Sequence, residues 1–238
     1  MQNYSISAFF PVYNDAGTIE LMINRLKQVL EETTKDYEII IVNDGSEDNS
    51  AEIADQLAKK HKNIKVIHHE KNKGYGGALK TGFKNVTKDL VFYTDGDAQY
   101  NALELKRLLP HINDHHVVNG YKLNRGDGIL RKILGTTYNH TVRFIFNLKV
   151  KDVDCDFRLM HSKIFKNINL KTDTGMICVE MMKKIENQNY KIKNIPVNHY
   201  PRTYGRSQFL RPKRVIKTMK GVLDLWVNLN IKNGKFRR

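Results

Sequence analysis

The sequence predicts an α/β fold, a mostly parallel sheet with helices on both faces. Three observations carry that expectation. Short apolar runs rich in β-branched and aromatic residues alternate with stretches whose apolar residues recur at helical spacing. Each of the early runs closes on a turn containing Asp, Asn or Gly. The chain has 238 residues, 40% of them hydrophobic, enough for one sizeable core.

Taken in order, "YSISAFF" (4–10) reads as the first strand, and Ile19, Met22, Ile23, Leu26, Val29 and Leu30 mark the helix that follows it. "YEIIIVND" (37–44) reads as a buried strand. "NSAEIADQLAKKH" then reads as a helix capped by Asn49 or Ser50. "IKVIHH" (64–69), a glycine-rich turn, a helix near 77–86 and "LVFYTD" (90–95) complete a βαβαβαβ series, which implies parallel pairing covered on both faces. The second half is less regular. It offers a strand at 115–121, helical material at 129–148, an acidic segment "KDVDCDFRLM" (151–160), a helix near 177–189, a strand-like "YKIKNIPVNHY" and a terminal basic helix. Residues 1–212 form one expected domain, with 213–238 a basic amphipathic helix and tail.

Forty Lys and Arg against 25 Asp and Glu give a formal charge of +15, which draws the chain toward polyanions: nucleotides, nucleic acid or an anionic membrane face. The longest wholly aliphatic run, "IIIV" at 39–42, is far below the roughly 20 residues that span a bilayer. The expectation is a cytoplasmic protein, peripheral at the cytoplasmic face of a membrane. Cys155 and Cys178 lack a CxxC spacing and read as reduced, which argues against a structural zinc site.

Ligands of such sheets bind beyond the carboxyl ends of the strands. Tyr13, Asp15, Asp44, Asp95 and Asp97 therefore converge on one edge. Asp95 and Asp97 flank Gly96 in a tight turn, and Gln99 adds a neutral oxygen. This is a donor set for a hard divalent cation, Mg²⁺ or Mn²⁺, when a diphosphate supplies the remaining oxygens. "NKGYGGALKTG" (72–82) fits neither the P-loop nor the dinucleotide pattern, yet Gly74, Gly76 and Gly77 let the backbone approach a ligand at a helix N-terminus. In "DVDCDFRLM" an extended backbone would put Asp152, Asp154 and Asp156 on one face. Their repulsion would call for a cation, a proton or Arg158. "HYPRTYGRSQFLRPKR" (199–214) carries four Arg, whose forked donors suit phosphate.

"PVYND", "VNDGS", "NKGYGGAL" and "TDGDAQ", in this order, resemble the nucleotide-sugar half of family 2 glycosyltransferases. "DVDCDFRL" and "VNHYPRTYGRSQF" extend the likeness to the polyprenyl-phosphate (dolichol-phosphate mannose synthase-like) sugar transferases. The resemblance implies a GT-A fold and inverting transfer from a nucleoside diphosphate sugar. It implies that Pro11, Tyr13, Asp15 and Asp44 line the base and ribose site, with Lys73, Gly74 and Asp95 also on the donor, and that Asp95, Asp97 and Gln99 hold the metal. Arg202, Arg206 and Ser207 would bind the diphosphate or the lipid phosphate, with Arg158 on the acceptor side. Asp15 stands where the family more often has Glu. The family's acid falls at Asp152 or at Asp156, and Asp152, Asp154 and Asp156 all stay candidates for general base.

The terminal helix has Val215, Ile216, Met219, Val222, Leu223, Trp226 and Val227 at helical spacing with Arg214, Lys217 and Lys220 elsewhere, a pattern suited to a lipid interface or to ordinary core packing. Three functions compete with transfer to a polyprenyl phosphate. A glycosyltransferase could extend a glycan or glycolipid hydroxyl. A nucleotidyltransferase would leave "PRTYGRSQF" unexplained, and a nucleic-acid-binding module would need stacking platforms or a recognition helix that the sequence lacks. The expected partners are thus a nucleotide sugar, a polyprenyl phosphate and a membrane surface, without nucleic acid.

Overall fold

The computed structural model of the chain describes residues 4–125, 129–204 and 212–230. The first half follows the predicted alternation: β1 (Ile6–Val12), α1 (Ile19–Thr33), β2 (Tyr37–Asn43), α2 (Ser50–Lys60), β3 (Ile64–His68), α3 (Tyr75–Asn85) and β4 (Leu90–Thr94). β1 runs parallel to both β2 and β4, and β2 parallel to β3. Successive side chains point to opposite faces, so Ile6, Ala8, Phe10 and Val12 of β1 join one core while Phe9 joins the other. β2 is divided the same way, Ile39 and Ile41 against Ile40 and Val42. A sheet buried on both faces is why these strands read as unbroken apolar runs.

The second half adds α4 (Leu105–Leu108), β5 (Val117–Arg125), α5 (Ile129–Phe146), β6 (Phe157–His161), α6 (Ile164–Asn167), α7 (Ile177–Asn187), β7 (Ile192–His199) and α8 (Pro212–Asn230). The seven described strands lie in the order β3-β2-β1-β4-β6-β5-β7. Among them only β6 runs against its neighbours; β5 and β7 are parallel. The strand order reverses direction between β1 and β4, which opens a crevice at their carboxyl ends.

Three local expectations change. The helix predicted near 77–86 begins at Tyr75, where Gly74 at φ +81° forms its N-cap. Neither Asn49 nor Ser50 caps α2 with its side chain; Asp48 Oδ1 accepts the Ser50 N–H instead, at 3.0 Å. The acidic segment is not extended: it turns at Val153–Asp154 and becomes a strand only at Phe157. Both cysteines are free and buried, as expected. In α8, Leu225 and Leu229 are buried in the second core and Trp226 packs against it.

Candidate active site

The crevice between β1 and β4 is lined by the turns that follow β1, β2 and β4. Asp44 follows β2, and its N–H is tied to Val12 O, which locks the ends of the two strands together. After β4 the chain turns through Gly96, where a Cβ would lie 2.4 Å from Pro11 O, so only glycine allows the turn to nest against β1. Ala98 then adopts φ +58°, a left-handed conformation that costs a non-glycine residue energy and reverses the chain toward Gln99. Thr18, at the start of α1, donates to Gly96 O at 2.7 Å and fastens the turn from the other side.

These constraints bring five predicted residues together. Asp95 accepts a 2.7 Å bond from the Tyr75 hydroxyl. Burial, then the negative charges of Asp156 and Asp97, hold its pKa well above the usual carboxylate range. Asp97 Oδ1 accepts from Gln99 N at 3.0 Å, and Asp97 Oδ2 is paired with the Arg202 guanidinium. Arg202 also lies 3.6 Å from Asp15 Oδ1. Burial, aided by Asp97, raises Asp15 to about 6, against the lowering pull of the Tyr13 N–H and Arg202. Gln99 donates its amide to Tyr200 O and so grips the segment that carries Arg202.

Asp44 sits deeper, 3% exposed. Its Oδ1 accepts from His69 Nδ1 at 2.6 Å and from the Lys73 backbone N–H at 2.8 Å. Lys73 therefore contributes through its backbone, while its side chain is exposed. The expected anion site at the start of α3 is partly occupied by protein, because Gly76 N donates to Asp173 O.

The three acidic candidates after α5 separate. Asp152 is buried and folds its own turn, with Oδ1 on Asp154 N and Oδ2 on Lys122 N. Asp154 is half-buried, and its carbonyl accepts from Lys122 Nζ. Asp156 joins the crevice cluster, close enough for its charge to act on Asp95. Its Oδ1 accepts from the Tyr93 hydroxyl, Cys178 Sγ and Arg158 Nη1, at 3.0–3.1 Å. Burial, then Asp154, raises it to about 6.

Arg158, expected against an acceptor phosphate, is fully buried. Its donors reach Asn119 Oδ1, Val153 O, the Tyr93 hydroxyl and Asp156, so the side chain that was to meet solvent anions is a core counterion. Arg206 and Ser207 lie outside the described residues. Four participants escaped sequence reasoning: Tyr75, Tyr93, His69 and Cys178. Tyr93 lies two residues before Asp95 on the same strand face, and His69 follows β3 at the same sheet edge, so strand periodicity and topology could have found both. Nothing in the sequence marks Cys178.

The residue chemistry fits a divalent cation that brings oxygens of its own. Among the described residues no group of three or more His, Cys, Asp or Glu could enclose a metal. Asp95, Asp97 and Asp156 nevertheless crowd negative charge into a buried crevice, and a guanidinium already stands on Asp97 where a cation would relieve it.

The sequence profile described as glycosyl transferase family 2 matches residues 7–169. The chain belongs to that family. A relative from Photorhabdus laumondii, an undecaprenyl-phosphate 4-deoxy-4-formamido-L-arabinose transferase, is 32% identical over 155 residues, covering 64% of this chain and 48% of its own. A protein of the same description from Enterobacter sp. (strain 638) is 29% identical over 212 residues, 87% of this chain and 63% of its own. The chain thus spans between about half and just under two thirds of these relatives. Among solved structures, glucosyl-3-phosphoglycerate synthase from Mycobacterium tuberculosis with phosphoglyceric acid superposes with a TM-score of 0.71 at 16% identity, over 94% of this chain and 79% of that one. Its complex with Mn²⁺, UDP and glucosyl-3-phosphoglycerate gives 0.70 over the same shares, also at 16% identity. The fold is the expected GT-A type.

Proposed function

We propose that the protein transfers a sugar from a nucleoside diphosphate sugar to a polyprenyl phosphate at a membrane surface, with inversion at the anomeric carbon. The observation that carries the reading is the convergence of Asp15, Asp44, Asp95 and Asp97 on the β1–β4 crevice, with Arg202 standing on Asp97. Family membership and relatives named as undecaprenyl-phosphate sugar transferases support it.

In this reading Asp44 and Asp15 hold the nucleoside, and Asp95, Asp97 and Gln99 take the cation. A divalent cation held there would neutralise charge that develops on the departing nucleoside diphosphate. Tyr75 holds Asp95 by one oxygen. Arg202 leaves Asp97 for phosphate as the donor arrives, since its forked donors suit either anion. A phosphate acceptor is already anionic near neutral pH and needs no base. Asp156, fixed by Tyr93, Cys178 and Arg158, then orients the acceptor side of the crevice; for a hydroxyl acceptor it would act as base.

The membrane reading rests on α5 and α8, which touch each other. Together they expose Ile133, Leu134, Phe144, Leu223 and Val227, with Phe144 88% exposed, and the two helices also expose Lys132 and Lys220. Among the described residues no helix is long and apolar enough to cross a membrane. Trp226, partly buried, packs against the second core. The test offers a panel of nucleotide sugars with undecaprenyl phosphate and Mn²⁺ or Mg²⁺ and reads the lipid by mass spectrometry. A glycosylated lipid phosphate is expected. Transfer only to glycan or glycolipid hydroxyls would replace this reading with the other glycosyltransferase.

A further inference from the structure

Resting on the donor reading above, we infer that His69 fixes Asp44 as a one-oxygen acceptor and thereby selects a pyrimidine imide, uracil or thymine, over guanine. A carboxylate oxygen offers two lone-pair directions. On Asp44 Oδ1 both are taken, one by His69 Nδ1 at 2.6 Å and one by the Lys73 N–H at 2.8 Å. The Asp44 carbonyl is held as well, by Asn72 Nδ2 at 3.1 Å. Among the described residues no hydrogen bond reaches Oδ2, so this oxygen is left for the ligand.

His69 is itself locked. Its side chain is 2% exposed, its backbone N–H is bonded to Asn43 O at 2.9 Å, and Nε2 lies 2.8 Å from Thr81 Oγ1 on α3. A carboxylate can only accept, so Nδ1 carries the proton toward Asp44, and the Thr81 hydroxyl can serve Nε2. The chain Thr81–His69–Asp44 thus reaches from a helix to a strand end and freezes the carboxylate rotamer. The family resemblance puts Asp44 in the base and ribose site and gives His69 no role.

The bases differ in what they ask of such a group. Guanine presents two parallel donors, N1–H and the exocyclic amine, which match the two oxygens of a free carboxylate. Uracil and thymine present one imide N–H between two carbonyls, which needs a single oxygen. With Oδ1 saturated, guanine would leave one donor unpaired in a buried site, an outcome that discriminates strongly. His69 is a positioning residue here: it acts through Asp44 and touches no substrate atom.

The test measures affinities of UDP, dTDP and GDP by calorimetry with Mn²⁺ held constant, for the full chain and for His69→Leu, His69→Asn and Thr81→Val. The wild type should bind UDP and dTDP at least about tenfold more tightly than GDP, a difference of about 1.4 kcal/mol. His69→Leu should weaken UDP binding and bring the UDP-to-GDP ratio close to one. His69→Asn, whose amide can replace Nδ1–H, should restore most of the preference, and Thr81→Val should reduce it partially. The ratio is the deciding readout, because general damage to the fold would lower all three affinities together. GDP binding as tightly as UDP in the wild type would overturn the selection, as would a ratio unchanged in a folded His69→Leu. If His69→Leu does not fold, the same ratio in His69→Asn and Thr81→Val decides the matter. Binding of none of the nucleotides would instead sink the donor reading on which this inference rests.

Discussion

Two carboxylates in the crevice are neutralised in opposite ways. Asp97 is countered by Arg202, a side chain 24% exposed on the segment after β7, held through Gln99 and Tyr200. Asp156 is countered by Arg158, which is fully buried and bonded on every side to the core. A partly exposed counterion can be exchanged for another cation at lower cost, whereas one surrounded by Asn119, Val153 and Tyr93 cannot leave. In the proposed reading, the contrast separates a position that loads and unloads a cation from one that is permanently set.

Arg202 also leaves a trace of incompleteness: its Nε is buried without a partner among the described residues. An anionic ligand near this segment would satisfy it. Arg158 by contrast has Nε on Asn119 Oδ1 at 2.6 Å.

The largest expected effect breaks the exchangeable side. Asp97→Asn should lower transfer by at least about a hundredfold, because a neutral amide is a poor ligand for a hard cation, with circular dichroism and thermal melting close to wild type. Undiminished turnover would remove Asp97 from the mechanism. The next breaks the fixed side. Arg158→Met should destabilise the fold by about 3–5 kcal/mol in chemical denaturation, since Asp156 would be left buried without its partner. Arg202→Gln should change stability by no more than about 1 kcal/mol and instead weaken the response to phosphate-bearing substrates. Equal destabilisation by the two arginine variants would erase the distinction between them.

A smaller effect is pH dependence. Asp15 and Asp156 are raised to about 6 by burial, above the ordinary carboxylate value near 4. The folded state therefore holds more protons than the unfolded one between about pH 4 and 6. Stability from these two groups is fully present below about pH 4 and is lost as pH rises through about 6. Asp15→Asn should flatten this part of the melting-temperature profile; an unchanged slope would show that Asp15 is not the titrating group.

The first half of the molecule was readable because its physics is local. Ile39–Val42 and Leu90–Tyr93 are apolar without interruption, and each strand end carries its own acid. β6 was harder: Phe157–His161 begins directly after a turn whose three aspartates masked it, and its antiparallel placement between β4 and β5 depends on long-range pairing. Arg158 illustrates the same limit. Its charge suggested solvent and phosphate, but β6 is covered on both faces, so its side chain lies in the core whichever face it takes. Asp95, Asp97 and Asp44 were legible as strand-end acids, while Cys178 and Tyr75 gain their roles from how α7 and α3 pack.

The most direct test of the exchange at Asp97 is calorimetric binding of UDP with and without Mn²⁺, in the wild type and in Asp97→Asn. The account predicts that Mn²⁺ tightens UDP binding to the wild type by at least about tenfold and has little effect on the variant, in which the cation's partner is gone. An equal gain from Mn²⁺ in both proteins, or no gain in the wild type, would contradict it.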